Sequence, residues 1–317
     1  MERKLKTGVV GAGVFGAFHA GKHAASPRAI LSGIWDTDAD RAGALADRHG
    51  ARRHSTLDTL LQSVDAVTIA TPAPSHFEIA RQALEAGRHV YVEKPLAMNV
   101  EEADILIALA ESQSLVLQVG HQERFVLAAM GAPRPGAAPR KLQFSRCGPP
   151  SGRGEDVSVV FDLMIHDLDI ARLFGFATPV KVSACGDRHE TVATLTFEGG
   201  RQCSFVASRR MEARRRVLKA DYDDGSIEID FVNRTFANST SSAAAPEFAD
   251  LSAFADPLGA SVEAFFASAL DGAVTMVDGR AGRGAIEWAS LIEGARENLN
   301  ASAPAFDRMP AFDRKIA

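Results

Sequence analysis

The sequence predicts an α/β protein in two parts. Residues 1–120 read as a doubly wound domain around a parallel sheet, and residues 121–317 as an α+β domain with an open, mostly antiparallel sheet. Three observations predict this. Strand-like apolar runs alternate with helical patterns of about 10–15 residues through the first part. Gly11-Ala12-Gly13-Val14-Phe15-Gly16 matches G-x-G-x-x-G between a strand and a helix. Farther on, strand candidates follow one another directly, with hairpin turn signals between them.

Each element has its own signal. Leu5 to Val10 is a short apolar run ending in glycines, and Ala29 to Ile34 is a second strand, followed by Trp35-Asp36. Asp38 to His49 reads as a helix with Gly50 as its stop. Asp65 to Ala70 reads as a buried strand ended by Pro72, and Ser75 to Ala86 as a helix with Gly87 behind it. Val90 to Val92 is the next strand. Asn99 opens a helix, with Glu102 placed as in a capping box. Leu115 to Val119 closes this half. Pro133, Pro135 and Pro139, with Gly131 and Gly136, mark a loop. Lys141 to Cys147 is a strand, and Asp156 to Phe174 is helical throughout. Then come strands at Val180 to Ala184, Thr191 to Phe197, Gln202 to Ala207, Val217 to Tyr222 and Ser226 to Phe231. Glu198-Gly199-Gly200 and Asp223-Asp224-Gly225 are the hairpin turns. Thr240 to Ala245 is a small polar loop. Helices around Ala260 to Leu270 and Ala281 to Leu299 finish the chain and can pack back on the first domain.

Composition excludes several classes. A chain of 317 residues is long enough for two cores. Its 35 basic residues against 40 acids give −5, which offers no reason to expect nucleic acid or an anionic membrane as partner. No uncharged apolar run approaches the roughly 18 residues of a membrane helix. Met1-Glu2-Arg3-Lys4-Leu5-Lys6 leads into a strand and lacks the apolar core of a signal peptide, so a cytoplasmic protein is expected. Cys147, Cys185 and Cys203 are odd in number and widely spaced, which fits neither a disulfide framework nor a zinc site. No metal is expected.

The glycine pattern carries a mechanism. The glycines permit a tight turn and let the backbone approach a pyrophosphate, and the helix behind offers N–H groups and a partial positive charge. This makes the first part a Rossmann domain and places Gly11, Gly13, Val14, Phe15 and Gly16 at a dinucleotide. Asp36 ends the second strand, 20 residues after Gly16. A carboxylate there accepts the ribose hydroxyl protons and repels a 2′-phosphate, so NAD is expected over NADP. The alternative is that Asp36 caps the helix beginning at Asp38, and Arg41 nearby has the charge to tolerate a phosphate. Thr71-Pro72 and His76 follow a strand where loops pass over the nicotinamide side. They read equally as a strand terminator and a helix start.

Two constellations remain. Glu93-Lys94-Pro95 follows the β-rich Arg88 to Val92 run, at the strand end where open α/β sheets bind ligands. A crowded ammonium there can exchange protons near neutral pH, which beside a nicotinamide points to redox chemistry on a hydroxyl. Asp162-Leu163-Met164-Ile165-His166 sets a carboxylate and an imidazole at i and i+4, on one helix face that Asp169 continues. The carboxylate can orient the imidazole; a surface ion pair is the alternative. A third ligand at metal spacing is absent.

In order along the chain stand Gly11-x-Gly13-x-x-Gly16, Ala70-Thr71-Pro72, Glu93-Lys94-Pro95, Gly120-His121-x-Glu123-Arg124-Phe125 and Asp162-x-x-x-His166-Asp167-x-Asp169. This series resembles the Gfo/Idh/MocA oxidoreductase family over nearly the whole chain. The resemblance implies NAD-dependent oxidation of a sugar hydroxyl, with Lys94, Asp162 and His166 catalytic and a cis Lys94-Pro95 peptide. It implies nucleotide contacts from Glu93 and Lys94 as well as the residues above. It also implies a homodimer or homotetramer built through the C-terminal sheet.

The 120–125 and 162–169 segments are similar to the branch acting on UDP-N-acetyl amino sugars, whose 3-dehydrogenases prepare the C3 position for transamination toward lipid A or other surface glycans. The departure is Val126-Leu127-Ala128, where that branch commonly has Asn-Pro-Ala. The resemblance makes a nucleotide sugar the expected substrate, touched by Lys94, Glu123, Arg124, Asp162 and His166. Arg124 would meet phosphate; pairing with Glu123 or another acid is its alternative. Arg209-Arg210 and Arg214-Arg215-Arg216 have the charge to meet a diphosphate as well, with a solvated strand edge as the plainer reading. The other functions in view are a dehydrogenase of free sugar or inositol, an NAD-dependent glycosidase, and a non-catalytic nucleotide sensor.

Overall fold

The computed structural model describes residues 3–132, 138–150, 152, 154–241 and 255–297. The expected loop residues Pro133, Pro135 and Gly136, the end of the 240–245 loop, and Leu299 lie outside them. The chain divides into two compact units, Met1–Phe125 with Asp256–Arg283, and Val126–Ala255 with Gly284–Ala317.

The first unit holds a six-stranded parallel sheet. Its strands are β1 (Leu5–Val10), β2 (Ala29–Trp35), β3 (Arg52–Arg53), β4 (Ala66–Ile69), β5 (His89–Val92) and β6 (Leu117–Val119), in the spatial order β3-β2-β1-β4-β5-β6. The order reverses at β1, so the crevice beyond the carboxyl ends of β1 and β4 is the switch point where such sheets bind ligands. The helices are α1 (Val14–Ala25), α2 (Ala39–His49), α3 (Leu57–Leu61), α4 (His76–Glu85) and α5 (Val100–Ser112), and α6 (Glu123–Ala129) spans the division at Phe125. Local chemistry sets their ends. Asp38 caps α2 by accepting the Asp40 and Arg41 N–H groups, and Gly50 closes it at φ 64°. Asn99 caps α5 through the Glu102 N–H, while the Glu102 carboxylate reaches back to the Met98 N–H.

In the second unit β7 (Lys141–Cys147) precedes α7 (Ile165–Leu173), and then come β8 (Lys181–Gly186), β9 (Glu190–Thr196), β10 (Gln202–Ser208), β11 (Arg215–Tyr222), β12 (Gly225–Asp230) and β13 (Thr235–Asn238). The order is β13-β12-β11-β7-β10-β9-β8. The hairpins expected at Glu198-Gly199-Gly200 and Asp223-Asp224-Gly225 join β9 to β10 and β11 to β12 as antiparallel pairs. The earlier strand β7 inserts between β10 and β11, parallel to β10 and antiparallel to β11. Its alternate residues are buried on both faces, and Phe144 stacks on Phe205 at a centroid distance of 5.1 Å. A strand covered on both faces in this way belongs in the middle of a sheet, and its Gln143, Ser145 and Arg146 are buried there as well.

The last two helices divide differently. In α8 (Pro257–Asp271), Val262, Phe265 and Phe266 pack with Leu5, Ala66 and Tyr91 of the first unit. Lys22 and Arg28 hold its two ends through Asp256 and Asp271. In α9 (Gly279–Glu297), the part from Gly284 onward belongs to the second unit. There Trp288 is buried against Phe197 and donates its indole N–H to the Ala177 carbonyl.

Candidate active site

The β1–α1 turn is shaped for a dinucleotide. Gly11 has φ 97°, and a Cβ there would lie 2.7 Å from the Ala70 carbonyl oxygen. A Cβ at Gly16 would run into the Gly11 carbonyl, whereas nothing stands within 4 Å of the Cβ position of Gly13. The turn is thus tight below and open above. No side chain caps α1 at Gly13, and no acidic residue occupies its first turn. Its N–H groups and partial charge therefore suit an anion. Val14 and Phe15 stand half exposed beside this opening. These features fit a bound NAD.

Asp36 ends β2. Its carboxylate accepts the Ala12 N–H at 2.6 Å and the Asp38 N–H at 2.8 Å, and pairs with Arg41 at 3.1 Å. Burial pushes this carboxyl up, but the Asp38 and Ala12 N–H groups and Arg41 together hold it below the ordinary value. The capping alternative falls to Asp38, so Asp36 instead joins the strand end to the glycine turn. Arg41 is engaged by both Asp36 and Asp38.

Thr71 and His76 frame the far side of the crevice. His76 is 1% exposed, with Nδ1 2.6 Å from the Pro95 carbonyl oxygen and Nε2 2.9 Å from that of Thr71. Burial lowers its pKa against the pull of these acceptors. The ring is buried and ties the Thr71 loop to the turn after β5.

At that turn the Lys94–Pro95 peptide is cis. Glu93 and Pro95 are buried and Lys94 between them is half exposed, so the lysine alone of the three faces outward. Glu93 turns inward. Its Oε1 lies 2.7 Å from His19 Nε2 and accepts the Gln122 side-chain N–H at 3.0 Å. A Cβ on Gly120 would stand 2.8 Å from Glu93 Oε2, so that glycine makes room for the carboxylate. Burial raises the Glu93 carboxyl, and His19, Lys94 and His76 overcome this to hold it low. The Glu93 carboxylate anchors the lysine turn to α1. Arg124, in the first turn of α6, donates to the Met276 carbonyl at 3.4 Å.

The second unit carries the other constellation. The expected helix from Asp156 begins later and opens with a π turn over Val160–Met164, which continues into α7. Asp162 and His166 are both half exposed, whereas Asp167 and Asp169 are buried. The π turn holds more residues per turn than an α-helix, so the simple i, i+4 face does not describe the pair. Asp162 is ion-paired with Arg209 at 2.9 Å. Asp167 takes a buried, forked pair from Arg146 of β7.

Sequence reasoning missed His19, Gln122, Arg146 and Arg209. His19 and His23, at i and i+4 on a helix of small residues, were the available signal for buried imidazoles. The arginines gave none. Arg209 is 5% exposed, which corrects its reading as solvated edge.

Residues 5–121 match the model of an oxidoreductase family with an NAD-binding Rossmann fold, Gfo/Idh/MocA. A UDP-N-acetylglucosamine 3-dehydrogenase of Acidithiobacillus ferrooxidans is 39% identical over 238 residues, covering 73% of this chain and 75% of that protein. The chain belongs to the Gfo/Idh/MocA family. As a member it is an oxidoreductase with an NAD-binding Rossmann domain. A solved structure of the A. ferrooxidans dehydrogenase has a TM-score of 0.84 at 34% identity, covering 93% of this chain and 98% of that one. An inositol 2-dehydrogenase of Rubrobacter xylanophilus is 33% identical over 54% of this chain and 52% of its own. GenD2 from gentamicin A biosynthesis, solved with NAD, shares the fold at a TM-score of 0.79 and 23% identity, over 95% of this chain and 98% of its own.

Proposed function

We propose that this Gfo/Idh/MocA member oxidises the C3 hydroxyl of UDP-N-acetylglucosamine with NAD as acceptor. The 39% identity to the A. ferrooxidans dehydrogenase, spread over 73% of this chain, carries this reading. When bound, NAD supplies the hydride acceptor. His166 takes the hydroxyl proton as the C–H bond gives up its hydride and the carbonyl forms. Lys94 donates a hydrogen bond to that oxygen and stabilises its developing negative charge. Asp162 orients His166 or a neighbouring hydroxyl. Arg124 binds substrate phosphate, for which a guanidinium is well matched.

The Asp36 carboxylate supports NAD over NADP, since it ends β2 beside the glycine turn, where a carboxylate suits ribose hydroxyls, and ties down Arg41. The ketone product is suited to transamination, which makes synthesis of lipid A or another surface glycan the fitting pathway. Self-association through the seven-stranded sheet belongs to the same proposal, and sedimentation velocity at micromolar concentration tests it by returning a dimer or tetramer.

The experiment is NADH formation in the presence of a ketone trap, across UDP-N-acetylglucosamine, free N-acetylglucosamine, glucose and myo-inositol. The nucleotide sugar should give the highest kcat/KM. A free polyol or hexose that outperforms it would remove the substrate assignment and leave the dehydrogenase. Product release without net NADH would indicate the glycosidase.

A further inference from the structure

Arg209 stands just past the end of β10, in a stretch of arginines that otherwise face solvent at Arg210, Arg214 and Arg216. Its guanidinium is turned inward. Nη2 donates to the Gly154 carbonyl, to the Val157 carbonyl at 3.2 Å and to Asp162 Oδ2 at 2.9 Å, and Nη1 donates to Val157 at 3.3 Å. The Asp162 carboxylate is also hemmed in by Gly154. That glycine has φ 67°, and a Cβ on it would lie 2.6 Å from the carboxylate. A side chain at 154 is therefore excluded by both backbone strain and contact.

The two partners are not equally buried. The Arg209 side chain is 5% exposed, against 16% for Asp162. The arginine lies underneath, and the carboxylate reaches toward the surface on the π turn that leads to His166. A buried ion pair is weak evidence of stabilisation, because desolvation offsets the attraction. A guanidinium fork does fix where a carboxylate points. π turns recur at functional sites, and this one carries Asp162.

We propose that Arg209 is a positioning residue that holds the Asp162 carboxylate aimed for the reaction, with Gly154 packed against that carboxylate. The proposal rests on the reading of Asp162 as part of the chemistry. The competing role is a brace for the 154–157 turn with no bearing on Asp162.

A double-mutant cycle separates the two, using Arg209→Gln, Arg209→Lys, Asp162→Asn and the Gln/Asn double variant, with turnover measured on the sugar that the wild-type enzyme oxidises best. Arg209→Gln should lower kcat by about 10–100-fold, the scale of a displaced catalytic group, and leave the Kd for NAD unchanged. Arg209→Lys, which keeps the charge without the fork, should fall between. In the Asp162→Asn background Arg209→Gln should cost nothing further. An equal loss from Arg209→Gln in both backgrounds would overturn the proposal in favour of the brace. So would wild-type kcat with only a lower Tm. Wild-type turnover in Asp162→Asn would instead remove the catalytic reading of Asp162, and this inference with it. Should the glutamine variant fail to fold, Arg209→Lys in both backgrounds gives the same cycle.

Discussion

His19 Nε2 lies 2.7 Å from Glu93 Oε1, in a pair whose histidine has no solvent exposure. The contact joins α1, which presents the nucleotide turn, to the residue that precedes Lys94. Removing one member of a buried pair leaves the other uncompensated. His19→Ala leaves the buried Glu93 carboxylate short of one hydrogen-bond partner and should therefore lower unfolding stability by about 1–3 kcal/mol. Urea denaturation of His19→Ala, Glu93→Gln and the double variant checks this, and a loss below about 1 kcal/mol in each single variant would show that the contact does not hold the turn.

The proposed preference for NAD over NADP rests on the pair Asp36 and Arg41. Wild-type protein should bind NAD more tightly than NADP, and Asp36→Ala should narrow the gap from both sides. It loses the ribose acceptor and removes one of the two carboxylates that hold Arg41. Fluorescence titration gives both dissociation constants. A wild-type preference for NADP would contradict the role given to Asp36.

Lys94→Ala or His166→Ala should each cut turnover by about 10²–10⁴-fold, the usual range for a positioned acid or base. NAD binding should survive His166→Ala, because the nucleotide turn and Asp36 belong to the first unit. Near wild-type turnover in His166→Ala would make that residue structural and leave Lys94 as the leading base.

His23 predicts an acid-sensitive fold. Burial, and then the neighbouring His19, lower its pKa from 6.5 to about 3, and its Nε2 faces Thr68 Oγ1 at 3.0 Å. Between those two values the unfolded chain binds a proton that the folded chain does not. Stability therefore rises with pH across this window and falls on acidification from about 6.5. The slope from this group is at most about 1.4 kcal/mol per pH unit. Between pH 6.5 and 5 the lowered carboxyls of Asp36 and Glu93 stay ionised and add little. Urea midpoints at these two pH values should differ more for wild type than for His23→Gln. Equal shifts would show that His23 is not the titrating group.

Much of this arrangement was legible because its signals are local. The glycine turn, the caps at Asp38 and Asn99 and the hairpin glycines each act through neighbours in sequence. What was illegible depends on distant partners. Nothing near Arg52–Arg53 marks a strand, which exists only because β2 is beside it. The place of β7 between β10 and β11 depends on segments far away in the chain. Arg209 looks like its exposed neighbours until the 154–157 carbonyls and Asp162 are folded against it. The outward-facing Lys94 was found from its strand end, whereas the inward Glu93 needed His19, 74 residues away, to explain it.

The central claim is hydride removal from C3 of a nucleotide sugar. Its most direct test is UDP-N-acetylglucosamine carrying deuterium at C3, incubated with the enzyme, NAD and a ketone trap, with the reduced cofactor analysed by mass spectrometry. Hydride transfer from C3 yields NADH one mass unit heavier than from unlabelled substrate. Reduced cofactor without deuterium would show that hydride leaves another carbon, and the absence of any reduced cofactor would contradict the dehydrogenase assignment for this substrate.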